Sequence, residues 1–335
     1  MASSVIHSKL PDSAAASVSR LSRFAPLGWA VVLLLAAGCG SMMSPFSLRI
    51  GQLMFFFAGL ALAWNLMGGL AGYRSFGHAA FVGMGGFAAG LAEARFPDAA
   101  PSARLAIGAG AAVAWCAFSA ALLAYPVLRL RGSYFAIAML GLSHVASELT
   151  TNIDALGGAA GLMFASIVPA GMDTNLFFYE IFIAGVALIL FLSWRVRRSR
   201  FGHGLLSIRE DEDTARMLGV PTERYKAYVF VLSAVLTGLL GMAYAHSLGF
   251  VTAASLYRDE LSLNIVVFAM LGGIGTLLGP AVGAVLLTLL VYVFLSAYPD
   301  VQLFVTGLVL VSIVLLAPDG LLGLLRRRLR KGSPS

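Results

Sequence analysis

Along this chain, apolar runs alternate with short polar clusters, and the uncharged intervals are long enough to read as spans. No charged residue occurs at 24–48, 50–73 or 105–128. Each interval exceeds the roughly 20 residues that an α-helix needs to cross the hydrocarbon core. The uncharged, glycine-rich stretch 75–92 sits at the lower length limit and reads as a short span or a re-entrant half-helix. Further spans are predicted at 132–147, 176–194 and 227–249. Residues 261–299 are uncharged for long enough to hold two more, broken at Gly272-Gly273-Ile274-Gly275 and Gly279-Pro280. A last run at 301–318 brings the count to ten. Between the spans, the polar segment 148–175 reads as an external loop and 195–226 as the longest charged block.

Basic residues orient this array. With the N-terminus inside, the cytoplasmic side carries Lys9, Arg20 and Arg23, then Arg74, then Arg129 and Arg131, the arginines and lysine of 195–226, and a tail with Arg326, Arg327, Arg328, Arg330 and Lys331. Only Arg49, Arg95, Arg104 and Arg258 fall outside, so both termini are expected in the cytoplasm. The expectation is an all-α polytopic integral membrane protein of about ten transmembrane helices, N-in and C-in, with short or broken glycine-rich helices. Its parts are a cytoplasmic N-terminal segment (1–25), a single transmembrane domain (26–318) and a basic tail (319–335).

Composition agrees: 59% of the 335 residues are hydrophobic and 12% charged, which excludes a soluble globule. The net charge of +7 comes from topology-setting clusters, so nucleic acid is not an expected partner. Cys39 and Cys116 both lie in apolar runs, where small buried hydrophobes are expected. Leu35-Ala36-Ala37-Gly38-Cys39 also has the form of a lipoprotein signal, which a protein with many later spans does not require.

Catalytic patterns are missing. A P-loop needs Gly directly before its Lys, whereas Lys9, Lys226 and Lys331 follow Ser8, Tyr225 and Arg330. The five histidines have no HExxH or i, i+4 pairing, so no metal site is expected. Glu93, Glu148, Asp154 and Glu180 all fall near predicted span ends. His78 and His246 lie deeper, as hydrogen-bonded packing residues or as proton relays. Intramembrane glycines such as Gly83, Gly85, Gly86 and Gly283 serve close helix packing, or the same glycines allow broken helices around a path.

The charged block holds the one polar helix predicted between spans. Glu210, Asp211, Glu212 and Asp213 read as its acidic first turn, followed by Ala215, Arg216, Met217 and Leu218, with Gly219 as the stop.

At this point a resemblance becomes specific. Gly72 with Gly77-His78-Ala79-Ala80-Phe81, Arg131-Gly132-Ser133-Tyr134-Phe135, Ile208-Arg209-Glu210-Asp211-Glu212, Leu271-Gly272-Gly273-Ile274-Gly275-Thr276 and Pro318-Asp319-Gly320-Leu321 together resemble the LivM-type permease subunits of branched-chain amino acid ABC importers. The resemblance implies a non-enzymatic subunit in the cell inner (plasma) membrane. It also implies a homologous second permease subunit, two cytoplasmic ATPase subunits carrying ATP-Mg, and an extracytoplasmic substrate-binding protein. It implies that Arg209, Glu210, Asp211, Glu212, Asp213, Ala215, Arg216 and Gly219 couple to the ATPases. Asp213-Thr214-Ala215 with Gly219 is similar in spacing to the Glu-Ala-Ala-x-x-x-Gly pattern of such loops, without its usual Leu-Pro continuation. Candidate path residues are Gly77, His78, Gly83, Gly85, Gly86, Gly272, Gly273 and Gly275. The substrate implied is a branched-chain or similar hydrophobic amino acid, with urea or short amides as the near alternative. A stand-alone secondary transporter is the rival from another class, and a membrane-embedded enzyme the remote third.

Overall fold

The computed structural model of the chain describes residues 28–294 together with 307 and 308. The N-terminal segment 1–25, the span at 301–318 apart from 307 and 308, and the basic tail 319–335 lie outside the described residues. Within them the fold is helical. The helices are α1 (Gly28–Gly40), α2 (Pro45–Asn65), α3 (His78–Glu93), α4 (Pro101–Val127), α5 (Ser133–Asn152) and α6 (Thr174–Arg197). They continue with α7 (Arg200–Glu210), α8 (Glu212–Met217), α9 (Thr222–Leu248), α10 (Ala253–Leu256), α11 (Asp259–Gly272) and α12 (Gly279–Leu289). Four of them, α2 with its terminal turn, α4, α6 and α9, are long and apolar enough to cross a membrane.

Local chemistry sets the ends. Ser44 caps α2 by accepting from the Ser47 amide, ahead of Pro45 at the first helical position, where its missing N–H costs nothing. Asp173 caps α6 through the Leu176 amide at 2.9 Å. Gly249, at φ +73°, stops α9 in a conformation that side-chain-bearing residues avoid. The break expected between 272 and 280 is present: Gly273 and Gly275 have positive φ, and Thr276 Oγ1 accepts from the Gly279 amide at 3.0 Å to start α12.

The interior is built on α2, which packs against α6, α9, α11 and α12. Trp64, Phe56, Leu60 and Leu62 are its largest enclosed side chains. Beside it, α3 is wedged between α4 and α9. Here glycine permits backbone contact: a Cβ on Gly85 would collide with the Gly238 backbone, and one on Gly241 with Val82. A short antiparallel pairing of β1 (Leu162–Met163) with β2 (Phe250–Val251) ties the 153–173 connection to the end of α9.

Three expectations are corrected. The polar segment taken to begin at 148 starts at 153, because α5 continues through Thr150, Thr151 and Asn152; these polar side chains bond the carbonyls one turn back and so tolerate the helix. Cys39 is exposed, at the end of α1, whereas Cys116 is buried. The four acids do not share one first turn. Glu210 ends α7, Asp211 is extended at φ −159° and caps α8 through the Thr214 amide, and only Glu212 and Asp213 begin that helix.

Candidate coupling site

Glu212 stands at the first position of α8, where the ends of four other helices converge. Its carboxylate accepts from Lys226 Nζ at 2.6 Å and from the Tyr73 hydroxyl at 2.5 Å. Arg216 lies 3.4 Å and Arg131 3.9 Å away. Lys226 belongs to the first turns of α9, is 3% exposed, and donates also to Tyr73 at 3.1 Å and to the Leu128 carbonyl that ends α4 at 3.2 Å. An ammonium so enclosed is tolerable because all three donors are used. Arg131, between α4 and α5, grips Asp213 with two parallel bonds of 2.9 and 3.0 Å. One six-residue helix is thereby fastened to the ends of α2, α4, α5 and α9.

Ionisation follows this geometry. Burial opposes the charge on Glu212, but hydrogen bonds from Lys226 and Tyr73 and the charges of Lys226 and Arg131 outweigh it and hold the carboxyl below its usual range. The Arg131 hydrogen bond and charge lower Asp213 as well, and raise Arg131 in return. Burial first, then the Glu212 contact, pushes the Tyr73 hydroxyl upward, so it stays a donor.

A second linkage runs from α7 inward. Arg209 Nη1 donates to the Gly69 carbonyl at 2.8 Å, in the wide π-type turn Leu66–Leu70 that ends α2. Its guanidinium lies against Gly275, where a Cβ would displace it. Gly275 is also held by the Asn65 side chain, which accepts from its amide at 2.8 Å and donates to the Thr276 carbonyl at 2.9 Å. Arg197 donates to the Gly275 carbonyl. Helix α7 and the end of α6 thus bear directly on the break between α11 and α12.

Of the residues singled out from sequence, Glu212, Asp213 and Arg216 meet in the cluster. Arg209 reaches the helix break instead. Ala215 is 1% exposed and faces the bundle, so it presents nothing outward. Gly219 closes α8 at φ +83° with open space around it. The outward surface consists of Met217 and Leu218, 80% and 77% exposed, with Glu210 and Asp211 beside them. The candidate path glycines sit at tight contacts. Gly77 abuts Met139, Gly83 Tyr257, Gly86 Leu256 and Gly272 Gly279; Gly273 adopts φ +116°. His78 is fully bonded between Ser75 Oγ at 3.2 Å and Ser233 Oγ at 2.9 Å, with Ser233 donating on to Ala63. Glu93, placed near a span end by sequence, is buried and meets His246 Nε2 at 2.9 Å.

Sequence reasoning missed Tyr73, Arg131 and Lys226 as partners of the loop helix. Lys226 did leave a signal, as the last charge before an apolar run.

Apolar helices closed around a packed interior, with a polar helical loop bolted across their ends, fit a helical membrane protein. The chain belongs to the family described as "Branched-chain amino acid transport system / permease component", which matches residues 48–314. It is 27% identical to the high-affinity branched-chain amino acid transport system permease protein LivM of Escherichia coli K12, over 89% of this chain and 75% of that protein. LivM of Salmonella typhimurium is 28% identical over the same shares. The autoinducer 2 import system permease protein LsrC of Yersinia pseudotuberculosis is 32% identical over 38% of each chain. No solved structure matches the chain.

Proposed function

We propose that this chain is a transmembrane permease subunit of an ATP-binding-cassette importer, passing branched-chain or similar hydrophobic amino acids across the inner membrane. It spans the bilayer about ten times with both termini in the cytoplasm, as the distribution of basic residues supports. It works with a homologous second permease, two cytoplasmic ATPase subunits that hold ATP-Mg, and an extracytoplasmic binding protein. The amino-acid reading rests on the two LivM relatives, which align over most of the chain, whereas LsrC aligns over 38%.

The observation that carries the coupling role is the anchoring of α8. Its inner face is tied to four helix ends through Glu212 and Asp213, and Arg209 behind it touches the α11–α12 break. Its outer side offers the exposed Met217 and Leu218 to a partner, with the exposed Glu210 at the end of α7. A displacement imposed on that face has a continuous path of contacts to Gly275 and to the glycine-framed helices, which border the substrate route in this reading. The test is co-reconstitution with the partner subunits. Met217→Asp with Leu218→Asp should leave membrane abundance and nucleotide binding by the ATPases unchanged while ATP-dependent uptake falls to background. Wild-type uptake in that variant would remove α8 as the coupling element, and uptake by this chain without ATPases would favour a stand-alone transporter.

A further inference from the structure

The end of the bundle that holds α8 carries a cavity of about 250 Å³ between the end of α4 and the first turns of α9. Three cations line it, Arg129, Arg224 and Lys226, with Glu223 as the one acid. Lys226 is spent on Glu212, Tyr73 and the Leu128 carbonyl, and Glu223 lies 3.8 Å from Arg216. Arg129 and Arg224 are left. Arg224 is exposed and makes no ion pair among the described residues. Arg129 lies 3.9 Å over the Tyr125 ring and donates to its hydroxyl, which occupies part of a five-donor fork and leaves the charge uncompensated. The opening is therefore cationic.

The surface that continues from this opening is apolar. Of the four helices long and apolar enough to cross a membrane, α4 is the least enclosed. Tyr125, Leu122, Phe118 and Trp115 recur along it at helical spacing and are 66%, 66%, 61% and 44% exposed, so they form one stripe running away from the cations. Its length is about 15 Å. Trp115 and Phe118 also line a larger cavity of about 650 Å³ between α3, α4 and α5, which apart from Arg95 carries no charge. Its two hydroxyls, on Thr150 and Tyr257, bond each other at 3.1 Å and ask nothing of an occupant. A cationic opening thus leads along an apolar stripe into an apolar recess. A soluble anion or an acidic peptide would use the first part alone.

We propose that this surface binds one anionic phospholipid, its phosphate between Arg129 and Arg224 and an acyl chain laid along the α4 stripe toward the larger cavity. With the orientation given above, the lipid belongs to the cytoplasmic leaflet, where basic pockets between helices hold anionic headgroups. It bears on the coupling anchor, because Leu128, whose carbonyl accepts from Lys226, lines the same opening. The binding itself depends neither on that orientation nor on what the protein transports.

The test is native mass spectrometry of the full chain purified in detergent, with phosphatidylglycerol or phosphatidylcholine added in equal amounts. The wild type should retain phosphatidylglycerol in preference, and Arg129→Gln with Arg224→Gln should lower that preference about tenfold. Arg104→Gln with Arg258→Gln removes the same charge elsewhere and should leave it unchanged. Arg129→Lys with Arg224→Lys should keep most of it, which separates lost charge from lost folding. Glycerol phosphate, with the headgroup chemistry and no acyl chain, should not displace the lipid at matched concentration. The assignment falls if the wild type shows no preference, if the glutamine pair binds as the wild type does, or if the control pair loses as much. It falls equally if the lysine pair is as weak as the glutamine pair. Competition by glycerol phosphate as strong as that of the lipid overturns it too, and marks a site for a soluble anion instead.

Discussion

Helices α3 and α5 are both apolar and both rich in small residues, yet they are packed in opposite ways. In α3 almost every residue is enclosed: Ala79, Ala80, Phe81 and Val82 are 0% exposed, and Gly85 rests on the Gly238 backbone of α9. In α5 the buried residues lie on one side, Tyr134 and Ile137 are 76% and 67% exposed, and Gly141 faces open space. Glycine content by itself therefore says little about a helix's role. In α3 glycine is a contact that admits no side chain. In α5 it is an open position on an exposed face, so two helices of similar composition are packed in opposite ways.

The largest effect expected from this contrast is at the glycines. Gly85→Leu should abolish recovery of monodisperse protein, because the side chain would occupy the α9 backbone, while Gly141→Leu should purify normally. Size-exclusion profiles of the two variants check it, and equal profiles would erase the distinction. Next comes the anchor that the free helix shares with the loop. Lys226→Met should destabilise by about 3 kcal/mol, the low end for breaking a buried pair, since Tyr73 and Arg216 still reach Glu212. Adding Glu212→Gln should restore part of that loss, measured as thermal unfolding in detergent. The smallest effect is the pH dependence of the same anchor. Glu212 and Asp213 have carboxyls held below their unfolded values, so their contribution is complete above the normal carboxylate range and disappears as pH falls through the lowered values. Hydrogen exchange of residues 211–217 should accelerate on acidification through that window. The dependence should flatten in Glu212→Gln with Asp213→Asn.

Much of the helix plan was legible because charge gaps mark spans directly. The intervals 105–128, 176–194 and 227–249 became α4, α6 and α9 with ends moved by a few residues. The α11–α12 break was announced by four glycines and a proline. What stayed hidden depends on distance along the chain. Glu93 and His246 are 153 residues apart, and Tyr73 and Glu212 are 139 apart; no periodicity links such pairs. The acid run misled for a local reason: Asp211 followed by Thr214 is also a capping pattern, and a cap divides a helix where net charge alone would extend it. Ala215 was placed at the docking surface by its match to the spacing of such loops, but a small residue suits an inward face equally well, and that is where it sits.

The contrast between the two cysteines has a practical side. Of the chain's two thiols, Cys116 is sealed against Gly238 and the Phe81 carbonyl, while Cys39 stands open in the last turn of α1. The natural sequence therefore comes with a single addressable attachment point for a fluorophore or spin label. Distances from it to a second introduced probe on α5 could be followed through a transport cycle without first rebuilding the protein's interior.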